Sequence, residues 1–194
     1  MTGKQFEQLC LDRVRRDRNN GGAATISRCG VRAARMKSEW QILQSFPDFE
    51  GVLRPSGRQF TFDCKVCSKS SFALDEFRPG AKRYKAAQFN YLMERAEFGA
   101  IAFLLIHFSE RQLKTRSFDA ATYAVPVHPR LQMWIDFQSL EISSLARDTC
   151  AEFGERVAWN LPTARSNKKS PDILAAIEAM ARLQSVAQSR VARE

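Results

Sequence analysis

The sequence predicts an α/β fold in which a mixed β-sheet is flanked by helices, and three observations predict it. The apolar run "AIAFLLIHF", Ala100 to Phe108, reads as a strand buried on both faces. The stretch Arg58 to Val66 alternates apolar and polar side chains with the period of a strand that has two different faces. Between and around these lie segments with helical spacing, in the order helix, hairpin strands, helix, buried strand.

The first helix is expected over residues 3–17. Thr2 and Gln5 have the spacing of a capping box, and Phe6, Leu9, Cys10 and Val14 follow at helical intervals until "NNGG" stops them. A short strand is expected near Ala24–Cys29, followed by a basic mixed segment up to Phe46. Phe49 to Leu53 and Arg58 to Val66 form a hairpin around "RPSG". In the second strand Phe60, Phe62, Cys64 and Val66 point to the core, while Thr61, Asp63 and Lys65 line water or a cleft.

A helix over 82–97 carries a stripe of Tyr84, Ala87, Tyr91 and Leu92 with Gln88 inside it, and Gly99 ends it. After the buried strand, residues 114–118 read as a further strand and "DAATYAV" as a short turn or helix before Pro126. Residues 129–160 stay undecided between strand and helix. Residues 161–171 are loop-like, and a last helix over 172–193 starts at the N-cap Asp172, with Ile173, Ile177, Met180 and Leu183 as its stripe.

At 194 residues the chain fits one domain, 1–194, with 24–46 as an insertion. Fourteen Phe and 44% hydrophobic residues supply a core, which excludes a disordered basic tail. No apolar run is long enough to span a bilayer and no secretory signal is seen, so the expected location is cytoplasmic. The formal charge of +9 favours a polyanionic partner, nucleic acid before membrane. Five cysteines without framework spacing suit reduced thiols, and Cys64-x-x-Cys67 lacks the further ligands of a zinc site. With only His107 and His128, chemistry built on histidine clusters is disfavoured.

The chemistry concentrates in Pro47-Asp48…Asp63-x-Lys65. Phosphodiester hydrolysis needs an activated water and neutralised phosphate charge, which a hard divalent cation on one or two carboxylates supplies. Asp63 and Lys65, two apart, project from one face of a strand, and Asp48 stands across the hairpin. The Cys64 carbonyl is a further candidate ligand. Lys65 is placed to orient water and to stabilise charge developing on the phosphate. The same residues also fit a salt-bridged strand edge of small energetic worth. Gln88 fits either a site residue or a buried amide satisfied by backbone, and Glu7 either a third carboxylate or an exposed helix acid.

"GKQFEQL", "DFEGV", "FTFDCKVCSKSSFAL" and "AAQFNYLMERAEFGAIAFLLIHF", in that order over most of the chain, resemble the RecU family of Holliday junction resolvases, within the PD-(D/E)XK nuclease superfamily. "SPDILAAIEAM" adds a weaker echo. The resemblance implies a restriction-endonuclease-like fold and a homodimer. It implies paired symmetric nicks in four-way DNA junctions with Mg²⁺ or Mn²⁺, leaving 5′-phosphate ends, and no small-molecule cofactor. Asp48 and Asp63 would be metal ligands, Lys65 the catalytic lysine, Gln88 the helix glutamine and Glu7 the first-helix acid. The family's basic stalk falls on 24–46, where Arg28, Arg32, Arg35 and Lys37 would face DNA. Here Asp63 replaces the commoner glutamate, "DEFRPGAKRYKA" reads as a longer connection, and the stalk matches poorly. The alternatives are a nuclease of the same fold acting on flaps, forks or duplex ends, and a junction-binding module without catalysis.

Overall fold

The computed structural model describes residues 1–19, 24–29, 32–36, 39–44, 46–54, 56–78, 83–112, 117–160 and 169–191. The chain opens with α1 (Gly3–Asn19), then β1 (Ala24–Arg28), β2 (Arg32–Met36), β3 (Glu39–Gln44), β4 (Phe49–Leu53), β5 (Gln59–Cys67) and β6 (Ser71–Ala73). A single 3-10 turn (Asp75–Phe77) leads to α2 (Arg83–Glu97), β7 (Ile101–Phe108), β8 (Arg111–Gln112), β9 (Ser117–Phe118) and β10 (Ala121–Pro126). The C-terminal part holds α3 (Gln132–Gln138), β11 (Ser144–Ala146), α4 (Arg147–Phe153), β12 (Glu155–Arg156), β13 (Trp159–Asn160), β14 (Ser170–Pro171) and α5 (Ile173–Val191).

Six strands form one sheet in the order β1-β4-β5-β7-β10-β12. β5 and β7 run parallel and the other neighbours antiparallel, so the sheet is mixed, as the sequence predicts. The parallel step requires a crossover, and α2 supplies it. All eight residues of β7 are buried, because helices cover both faces of the sheet there. One core, around Leu92, Leu104, Ile106 and Trp134, lies under α2 and α3. The other, around Phe6, Phe62, Phe103 and Ile177, lies under α1 and α5.

Strand parity decides which side chains enter which core. Phe49, Phe62 and Phe103, neighbours on β4, β5 and β7, stack with centroids 5.0 and 4.9 Å apart on the α1/α5 face. Their chain neighbours Asp48 and Asp63 must then take the opposite parity. β4 can lie this close to β1 because residue 51 is glycine. A Cβ there would stand 1.9 Å from the Thr25 carbonyl oxygen and 2.5 Å from the Phe60 ring.

The helix ends follow their local chemistry. Gln5 Oε1 accepts the Thr2 N–H at 2.8 Å and Thr2 Oγ1 accepts the Gln5 N–H at 3.3 Å, closing the expected capping box of α1. Asp172 Oδ1 accepts the Ala175 N–H at 3.2 Å and caps α5.

Several expectations need correction. "DAATYAV" is not a turn or helix: Ala121–Pro126 is a strand antiparallel to β7, buried at every position, so it lacks the alternation that marks a half-exposed strand. Residues 132–138, undecided in the sequence, are helical, with Met133, Trp134 and Phe137 facing the core. The stripe of α2 is rotated from the predicted one: Ala87 is exposed, and Phe89, Leu92, Met93 and Ala96 are buried. Leu183 is exposed, while its neighbour Gln184 is buried and donates to the Ala102 carbonyl at 2.9 Å. Ala24–Arg28 belongs to the main sheet, whereas among the described strands β2 and β3 pair only with each other. Cys64 and Cys67, three apart, enter opposite cores, which removes any joint redox or metal role.

The clash at residue 51 gives the first test. Gly51→Ala is expected to cost about 2–4 kcal/mol, because the new methyl meets the Thr25 carbonyl oxygen of the neighbouring strand as well as the buried Phe60 ring. Urea denaturation measures it, and a loss below about 0.5 kcal/mol would show that β1 is not held against β4 as described.

Candidate active site

The catalytic candidates gather where β4 begins and β5 passes it. Phe49 pairs with Phe62, so Asp48, one residue earlier, comes level with Asp63 and Cys64. Asp48 Oδ2 accepts the Cys64 N–H at 2.8 Å, taking the place of a ladder partner that β4 no longer supplies. In an extended strand the carbonyl of a residue points the same way as its N–H, so the Cys64 carbonyl opens toward Asp48 as well.

Asp63 has no exposed surface. Its Oδ2 pairs with the Lys65 ammonium, and its Oδ1 has no hydrogen-bond partner among the described residues. An orphaned carboxylate oxygen in a buried position is costly and marks a place built for a further positive ligand. Burial by itself would lower the Lys65 pKa, but the charge and hydrogen bond of Asp63, with help from Asp48, hold it above the ordinary lysine value. Lys65 is therefore an ammonium at neutral pH. Its Nζ also lies 6.0 Å from the centre of the Phe77 ring.

Asp48 is pushed up to about 8, first by burial, then by the Asp63 charge and more weakly by Glu7; Lys65 and the Cys64 N–H oppose this. Two carboxylates this close resist ionising together unless a cation joins them. Among the described residues no group of three or more His, Cys, Asp or Glu side chains is placed to hold a metal. Two carboxylates and one backbone carbonyl nevertheless fit a hard divalent ion that keeps most of its water, as Mg²⁺ does.

The remaining candidates divide. Glu7, on α1, is near enough to act on Asp48 but pairs with Arg28 at 2.6 Å. Arg28 therefore rests on an acid of the site, with half of its side chain exposed. Gln88 is buried and donates to the Phe46 carbonyl at 2.9 Å, so it ties α2 to the segment that delivers Asp48. Arg32 and Arg35 lie on β2 of the separate hairpin, and Lys37 falls outside the described residues.

Cys29 and Glu50 are neighbours that sequence reasoning left without a role. The Cys29 N–H donates to the Asp48 carbonyl at 2.9 Å. Its thiol is pushed up to about 12 by burial and then by Glu50, Asp48 and Asp63. Glu50 faces α2, where the Tyr91 hydroxyl lies 3.5 Å from its Oε2. The signal was the shared parity of residues 48 and 50, but only the pairing of Arg28 with Phe49 brings Cys29 in.

No curated protein sequence matches the chain. A solved structure, the Holliday junction resolvase Hjc of Archaeoglobus fulgidus, is similar over 79% of this chain and 95% of its own, at 14% identity and a TM-score of 0.43. The family model described as RecU, Recombination protein U, matches residues 26–158, from β1 through the acidic pair, β7 and β10 to β12, and the chain therefore belongs to the RecU family of Holliday junction resolvases.

Proposed function

We propose that this protein is a divalent-metal-dependent endonuclease that resolves four-way DNA junctions by paired symmetric nicks, working as a homodimer in the cytoplasm. The observation that carries the reading is the buried Asp63, ion-paired to Lys65, with Asp48 across the hairpin and one carboxylate oxygen left without a partner among the described residues. A strand edge built only for stability would have no reason to bury a second acid beside the first. That argues against the binding-only alternative.

Asp48, Asp63 and the Cys64 carbonyl would hold Mg²⁺ or Mn²⁺. The ion, when bound, supplies Lewis acidity toward the phosphate and lowers the pKa of water. The chain's own residues do the rest. Lys65 enters as an ammonium, so its contribution is to orient water and to meet the negative charge that grows on the phosphate oxygens. Asp63 fixes the direction of that ammonium. Gln88 keeps the entry to β4, and hence Asp48, in register. Glu7 adds negative potential at Asp48, and Arg28, Arg32, Arg35 and Lys37 attract the DNA backbone. Hydrolysis leaves a 5′-phosphate and a 3′-hydroxyl.

Lys65→Ala is expected to lower the rate of junction cutting by roughly 10²–10³-fold with junction binding in EDTA kept within a few-fold. Single-turnover cleavage of a labelled four-way junction measures it, with a flap and a plain duplex as competing substrates. Wild-type cutting by this variant would remove Lys65 from the chemistry, and equal cutting of all three substrates would remove junction selectivity.

The raised Asp48 pKa fixes a second outcome. The folded protein holds a proton that the unfolded chain releases at about 3.8, and gives it up only near 8. Between these values the folded state binds more protons, so without metal its stability falls as pH rises from about 4 to about 8. Asp48→Asn should flatten this decline in EDTA melting curves. Mg²⁺ should raise the melting temperature of the wild type at pH 8 but not that of the variant. Identical curves for both proteins with and without Mg²⁺ would dissolve the proposed ligand pair.

A further inference from the structure

On the sheet face opposite Asp63 and Lys65, a cavity of about 600 Å³ opens between β7, β10, β12 and β13, well within the size range of ligand pockets. Its floor is polar and fixed. Thr122 Oγ1, fully buried, accepts the Trp159 Nε1–H at 2.9 Å and stands 2.9 Å from His107 Nδ1. Indole nitrogen only donates, so Thr122 Oγ1 is an acceptor toward Trp159, and the same hydroxyl ties His107 Nδ1 into the floor. Burial first, and then the nearby chain N-terminus, holds the His107 pKa down to about 4, so the ring is neutral. Among the described residues its Nε2 has no hydrogen-bond partner.

The walls are aromatic. His107 and Trp159 lie 5.4 Å apart between ring centres, and Phe6 backs both, at 5.4 and 6.3 Å. The rim is cationic. Arg156 and Lys169 line the opening, neither has an ion-pair partner among the described residues, and no carboxylate is among the described lining residues. A duplex backbone alone would use the cations but not the aromatic recess. The combination suits a flat ring carrying a negative charge, with an imidazole nitrogen left for one of its polar edges.

We infer that this cavity takes one unstacked nucleotide of a DNA strand, its base against Trp159 and His107 and its phosphate between Arg156 and Lys169. The inference rests on the reading that the chain handles branched DNA, where strands exchange partners and bases lose their stacking. The placement fits. His107 pairs with Val66, the residue after Lys65, so cavity and cutting site share one end of the sheet. β10 is two strands from β5, a lateral separation of roughly 10 Å. Stacking on aromatic rings beside a basic groove is how single strands are held without regard to sequence.

The test uses the full chain in EDTA, where binding is read without cutting. Tryptophan fluorescence is followed while adding tetrathymidylate, a blunt duplex of equal phosphate count, thymidine monophosphate or inorganic phosphate. Tetrathymidylate should quench and bind more tightly than the other three. Arg156→Gln combined with Lys169→Gln should weaken it about tenfold, and Trp159→Phe should remove most of the quench. Both glutamine sites are exposed, so the double variant keeps its fold, checked by an unchanged melting curve. The inference is overturned if the duplex binds equally well, if the monophosphate or phosphate alone does so, or if the double variant binds like the wild type. Junction cutting in Mg²⁺ is scored separately. Cutting by a protein whose cavity stays silent overturns the cavity and leaves the resolvase reading standing; oligonucleotide binding at the cavity without any cutting supports the cavity and overturns the other.

Discussion

A carboxylate without access to water sits in the middle strand of this sheet, and holding its charge organises what surrounds it. Asp63 is fully buried, so its negative charge needs a counter-charge within the protein. Lys65, two residues along the same strand, provides one on one oxygen and leaves the other open. Asp48, held beside it by the Cys64 N–H, keeps its proton up to about pH 8 in the metal-free protein, because a second negative charge here would be more than the single lysine neutralises. The register therefore sets a proton on Asp48 where a cation could take its place. The site's most favourable change is to gain a cation, and a site that seeks a cation next to an ammonium is suited to a substrate that is itself an anion.

Such a site needs a frame that does not yield to the repulsion inside it. The Phe49–Phe62–Phe103 stack supplies that frame on the other face, joining three strands through rings whose planes are nearly parallel. Because side chains alternate, the phenylalanines that fix the strands also fix the parity of the acids. A slip of one residue in β5 would bring Asp63 into the apolar core and the rings into the cleft, so register and chemistry cannot be lost separately. β7 sits behind both, buried throughout, and ties the acidic strand to the centre of the molecule.

This division explains what could be read in the sequence. The alternation in β5 was legible because its two faces differ chemically, and the capping box of α1 because it is a local bargain between Thr2 and Gln5. β10 was not legible: Ala121–Pro126 is buried on both sides, short, and closed by a proline, so neither periodicity nor length separated it from a turn. The phase of α2 was misread because the helix spreads aromatics over more than one side: Tyr91 turns to Phe46 and Glu50 while Phe89 enters the core. The acid pair could be found from spacing, and the neighbourhood of Cys29 could not, since only the β1–β4 pairing creates it.

The Glu7–Arg28 contact shows what residue type alone does not give, the partner each charge takes at rest. From the sequence, Glu7 belongs with the metal and Arg28 with DNA, yet at rest they bind each other at 2.6 Å. Their pairing does not cancel those expectations, because a pair with an arginine half exposed is worth at most about 1 kcal/mol. On the proposed reading an incoming phosphate would offer Arg28 a competing anion, and the acid it released would stand near Asp48. The exchange would leave each charge with a partner throughout. A weak pair at the mouth of a strongly charged site therefore costs little to break, and it keeps both groups in place until something of higher charge arrives.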